Sequence, residues 1–153
     1  NKRIFVYGHS AGGHLTACMV ATDWKALDPS APADLVPAGY SISGVFDLAP
    51  LTQVSQNADL KLTDESARAS SPLFWPVPAG RTLDAAVGGI ESSEFLRQSK
   101  IVTDAWRQAG AATRYAEIAG ANHFTAIDPL ADANSPMTKR VVELARQVQG
   151  MKL

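Results

Sequence analysis

Cysteine is nearly missing from this chain: Cys18 is the only one in 153 residues, so no intrachain disulfide can form. That usage suits a reducing compartment, and the expected location is the cytoplasm. Basic clusters are missing too. Fourteen Lys and Arg stand against fifteen Asp and Glu, giving a net charge of −1 with no local concentration of either sign. Neither nucleic acid nor an anionic membrane is therefore an expected partner. No apolar run approaches the roughly 20 residues that span a bilayer. Asn1-Lys2-Arg3 leads into only four strand-like residues, which does not read as a secretory leader. The phosphate-cradling patterns G-x-G-x-x-G and G-x-x-x-x-G-K-[ST] are both absent, and no internal repeat or low-complexity stretch is present. No metal site and no cofactor are expected. A hydrophobic fraction of 46% with 19% charged residues remains, the composition of one ordinary globular domain.

What is present alternates. Arg3 to Tyr7 is a short β-branched and aromatic run that reads as a buried strand. A helical stretch follows through Leu15, Ala17, Cys18, Val20 and Ala21. A Pro- and Ala-rich loop over 28–37 then gives way to a second strand, about Ala38 to Phe46. Residues 47–80 read as an irregular insert with short helical pieces. Leu83 to Gly88 is a third strand. Ser92 is a plausible N-cap for the next helix, with Phe95, Val102, Trp106 and Ala109 on its buried face and Gly110 past its end. Ala112 to Ile118 is a fourth strand. Ser135 caps a last helix that opens on Pro136. Strands alternating with helices at these lengths imply an α/β fold, a mostly parallel sheet with helices on both faces.

The chemistry-bearing feature is Gly8-His9-Ser10-Ala11-Gly12, a G-x-S-x-G pattern with a strand running in and a helix running out. In that context the turn is sharp, its neighbours must be small, and the serine Oγ stands at the C-terminal edge of the sheet. The backbone N–H of Ala11, at the helix N-terminus, is then a candidate oxyanion-hole donor. A serine nucleophile needs a base, and chain order in such a sheet runs Ser, then Asp or Glu, then His. His9 and His14 come too early, so His123, just past the fourth strand, is the candidate base. The acid is expected beyond the third strand. Glu91 is favoured there. Asp84 is the rival, placed at the beginning of that strand, while Asp104 lies in a buried helical register and Asp128 follows the histidine.

Several separated stretches resemble the kynurenine formamidase (arylformamidase) branch of the esterase/lipase α/β-hydrolases. These are Gly8-His9-Ser10-Ala11-Gly12-Gly13-His14, the segment 43–51 with Ser43-Gly44-Val45-Phe46-Asp47-Leu48, Ser71-Pro72, the segment 88–99 with Glu91, Glu94-Phe95 and Gln98-Ser99, and Asn122-His123-Phe124. The resemblance implies Ser10, Glu91 and His123 as the triad and a small-molecule ester or formamide as substrate; a homodimer is compatible with it. It also implies that residues 1–153 are the C-terminal part of a single domain, from the nucleophile strand onward. The early strands and the second oxyanion donor are then expected outside the chain, and the 153 residues alone are expected to be poorly stable and nearly inactive.

Overall fold

The structure, a computed structural model, describes residues 3–150. Four strands form one sheet in the order β1 (Phe5–His9), β2 (Ala38–Ile42), β3 (Thr82–Gly88), β4 (Ala112–Ile118), and every pairing is parallel. Parallel neighbours require a crossover, which the chain supplies through α1 (Ala11–Ala21), α5 (Ser93–Gln108) and the insert between β2 and β3. After β4, α6 (Pro136–Val148) closes the fold. Short helices α2 (Trp24–Leu27), α3 (Asn57–Leu60) and α4 (Asp64–Ala69) fill the connections.

Alternation along the strands divides the core in two. Leu83 and Ala85 face Ala17, Val20, Val102 and Trp106 of α1 and α5. Tyr40, Ile42 and Ala86 face Met137 and Leu144 of α6. The inner strand β2 is buried at all five positions, as a strand covered on both faces must be. Strand β1 sits at one edge of the described sheet, and Tyr7 on it is 57% exposed.

The expected elements are present, with displaced ends. Strand β1 runs two residues further than its apolar residues suggest, because the ladder to β2 continues to His9 opposite Ile42. Strand β2 stops at Ile42 rather than Phe46, because Ser43 takes a φ of 49° and turns the chain out of the sheet. Ser92 and Ser135 cap α5 and α6, accepting from the backbone N–H of Phe95 and Thr138. On α5, Ala109 is exposed and Phe95 only partly covered. Gln98 and Ser99 are buried in their place. Asp104 is not buried either: it pairs at the surface with Arg107 and Lys100.

Gln98 explains why a polar side chain lies in the core. Its Oε1 accepts from the N–H of Phe46 and Asp47 at 2.8 and 2.9 Å, and its Nε2 donates to the Asp47 carbonyl and to Glu94. One amide thus satisfies backbone groups in a loop that has left the sheet and has no ladder partner. Ser71 does likewise, accepting from Leu48 N–H and donating to the Ala67 carbonyl. Gln98→Ala leaves two buried N–H donors without their acceptor. Its expected cost is about 3 kcal/mol, read from the urea midpoint at unchanged m-value.

Candidate active site

Ser10, Ala11, Glu91 and His123 all lie beyond the C-terminal ends of parallel strands. Ser10 follows β1 directly. Its φ of 58° and ψ of −118° lie outside the regions that L-residues favour, and it caps the N-terminus of α1 without a side-chain cap bond. Its N–H is tied to the Ile42 carbonyl at 2.8 Å. So tight a turn leaves no room beside it: a Cβ on Gly8 would lie 2.5 Å from the Gly12 carbonyl carbon. The Ser10 hydroxyl is thereby released from capping and points elsewhere.

It points at His123. Nε2 of His123 lies 3.0 Å from Ser10 Oγ, and Nδ1 lies 2.7 Å from Glu91 Oε2. A carboxylate can only accept, so Nδ1 carries the proton and Nε2 of the neutral ring is left to accept from the serine hydroxyl. The Glu91 side chain is 1% exposed and that of His123 25%, so the carboxylate is sealed while the imidazole opens to solvent. Glu91 Oε1 accepts from the Gly88 N–H at 2.8 Å and from the Ser43 hydroxyl in a very short contact. The added methylene of Glu over Asp is used in this return: Glu91 lies three residues past Gly88 and folds back onto it. Asp84 stands elsewhere. It is the third residue of β3, 2% exposed on the α6 face, and takes Arg140 Nε at 2.6 Å. A cavity of about 280 Å³ opens beside that pair, lined also by Tyr40, Arg114 and Met137, with none of Ser10, Glu91 or His123 in its wall.

The His123 loop is held from several sides. Asn122 Oδ1 accepts from the N–H of Phe124 and Thr125. His9 Nε2 donates to the His123 carbonyl at 2.7 Å, and the two rings lie 4.8 Å apart. Phe95 of α5 packs on the other side of the imidazole, with ring centroids 4.5 Å apart. A Cβ at Gly88 would overlap the Ala121 carbonyl, so glycine lets the Glu91 loop and the His123 loop touch. Ala11, exposed as the first residue of α1, has an N–H with no acceptor one turn back, as helix geometry dictates. His14 is a structural strut, Nδ1 donating to the Val45 carbonyl. Cys18 beside it is pushed up to about 11 by burial, which makes it an unreactive thiol.

Sequence reasoning missed Ser43 and the function of His9. The first had a signal: a Ser-Gly pair where the strand neighbouring the elbow ends. The second had none, since the contact with the His123 carbonyl joins residues 114 positions apart.

A parallel sheet with helices on both faces and a strained serine at a strand-to-helix turn define the α/β-hydrolase fold. Solved structures with that fold superpose on nearly the whole chain. A candidate thioesterase from Silicibacter sp. TM1040 matches at 31% identity and a TM-score of 0.74, over 93% of this chain and 51% of that one. An esterase of the bacterial hormone-sensitive lipase family matches at 22% identity and a TM-score of 0.63, over 96% and 54%. Kynurenine formamidases are homologues of this chain. That of Danio rerio is 31% identical over 146 residues and that of Salmo salar 28% identical over 148, each over 92% of this chain. The chain spans about half the length of these relatives, 49% in both cases. No protein-family model matches it. Among the described residues no helix is long and apolar enough to cross a membrane.

The two carboxylates separate cleanly by experiment. Asp84→Asn is expected to cost about 3 kcal/mol in chemical denaturation, because it strips Arg140 of a buried partner. It leaves covalent labelling of Ser10 by a fluorophosphonate unchanged. Glu91→Gln does the reverse, slowing labelling by orders of magnitude in a protein that still unfolds cooperatively.

Proposed function

We propose that Ser10, His123 and Glu91 are the catalytic triad of a serine hydrolase that cleaves an aryl formamide. The reading is carried by one observation, the continuous hydrogen-bonded row from Ser10 Oγ through both nitrogens of His123 to Glu91. Ser10 Oγ attacks the carbonyl carbon while His123 Nε2 takes the hydroxyl proton. Glu91 balances the imidazolium that forms. The Ala11 N–H receives the oxyanion, and we take the second donor to come from residues outside this chain. His123 passes its proton to the leaving amine, the C–N bond breaks, and a formyl-enzyme ester remains on Ser10. Water, giving its proton to His123, attacks that ester; the acyl C–O bond to Ser10 breaks, His123 returns the proton to Ser10 Oγ, and formate leaves.

Two kynurenine formamidases among the relatives support N-formyl-kynurenine as the substrate, with kynurenine and formate as products. Carboxylic esters and thioesters form a second reading, which the candidate thioesterase favours because it is as similar in sequence as the formamidases. The open edge of β1 supports pairing with further strands of the same sheet, and we infer that the working enzyme includes them.

Turnover of N-formyl-kynurenine, a p-nitrophenyl ester and an acyl thioester, measured side by side, tests the substrate class. The formamide is expected to have the highest kcat/KM, and a higher value for either ester overturns the formamidase assignment. Ser10→Ala is expected to lower kcat by a factor on the order of 10⁴ or more. Absence of fluorophosphonate labelling at Ser10 would instead make the fold a non-catalytic binding module.

A further inference from the structure

We propose that Ser43 is a positioning residue, whose hydroxyl sets the orientation and charge of Glu91; the proposal rests on reading Glu91 as the acid of a triad. The backbone is the first observation. Ser43 is fully buried and has a φ of 49°, a left-handed conformation that costs a side-chain-bearing residue about 1–2 kcal/mol. Glycine would take it without that cost, and a glycine stands next in the chain, yet Gly44 does not carry the positive φ. Strain held at a buried non-glycine residue needs a reason in what the side chain does. Alanine would fill the space. What serine adds is a hydroxyl.

That hydroxyl has one described acceptor, Glu91 Oε1. The turn that aims it is pinned, since Ser43 N–H donates to the Ala86 carbonyl at 2.7 Å and extends the β2–β3 ladder one step past the strand. With the Gly88 N–H on the same oxygen, Oε1 is engaged by two donors and Oε2 is left facing Nδ1 of His123. Both consequences reach the base. The carboxylate plane is fixed, and part of its charge is drawn toward Oε1, away from the imidazole. Without the hydroxyl, more negative charge rests on Oε2 and the protonated ring is held more strongly. The titratable groups touching His123 are Glu91, from the β3–α5 connection, and His9, from β1. Phe95 and Phe124 cover it with uncharged rings.

The test uses Ser43→Ala and Ser43→Gly together. Alanine keeps the backbone strain, glycine relieves it, and both delete the hydroxyl. The rate of fluorophosphonate labelling at Ser10 is measured against pH. Both variants are expected to move the acid limb up by about half a pH unit, which slows labelling about threefold on the acid side and little on the alkaline plateau. A uniform loss at every pH, or a loss in alanine that glycine restores, shows a purely structural residue and overturns the proposal. If unsubstituted protein does not label, the triad reading falls. The proposal is then decided by the NMR resonance of the proton on His123 Nδ1, which shifts alike in both variants if Ser43 governs Glu91 and stays in place if it does not.

Discussion

A carboxylate sealed from solvent has to find its hydrogen bonds inside the protein, and the arrangement around Glu91 follows from that demand. Removing an ionised group from water is tolerable only when donors replace the lost hydration. Three do so: the Gly88 N–H, the Ser43 hydroxyl and His123 Nδ1. Each comes from a different stretch of chain, so the buried charge acts as a joint between the ends of β2, β3 and β4. The glycine at 88 admits the His123 loop to within touching distance, and the left-handed turn at 43 brings the hydroxyl inward.

The same logic governs the segment that leaves β2. Once Ser43 bends the chain out of the sheet, Phe46 and Leu48 are buried and Asp47 partly so, but they have no ladder. Gln98 and Ser71 supply the missing partners from α5 and from the end of the insert. Arg97, one residue before Gln98, reaches Asp47 as well and holds Glu94 at 2.7 Å. The hydrogen bonds to Glu94 raise the guanidinium far above its ordinary range and keep the carboxyl below its own. These contacts anchor the backbone that follows Ser43.

Much of this was legible in the sequence, because it depends on local pattern and chain order. Alternating strands and helices gave a parallel sheet, β4 matched to the residue, and the serine caps at 92 and 135 fell where small polar residues precede amphipathic runs. The three residues named from the order Ser, acid, His are the three that meet in space. Strand ends were less legible. Val45 and Phe46 themselves look like strand residues; the only local sign is the Ser-Gly pair before them, and the Ser43 hydroxyl at that turn contacts Glu91 48 positions away. On α5, Val102 and Trp106 are buried as apolar periodicity implies, but Gln98 escapes that signal because it is buried to serve peptide groups.

Parallel pairing also has a kinetic meaning. Phe5 pairs with Ala38, Ala38 with Thr82, and Thr82 with Ala112, so no two strands can meet as a hairpin and every contact of the sheet closes a long loop. Loop closure of that kind is paid for before any ladder repays it, which makes such sheets slow to assemble. A longer-range contact joins His9 on β1 to the carbonyl of His123 beyond β4. It links positions 114 apart in the sequence, so the elbow and the His123 loop are brought together across all four strands of the sheet.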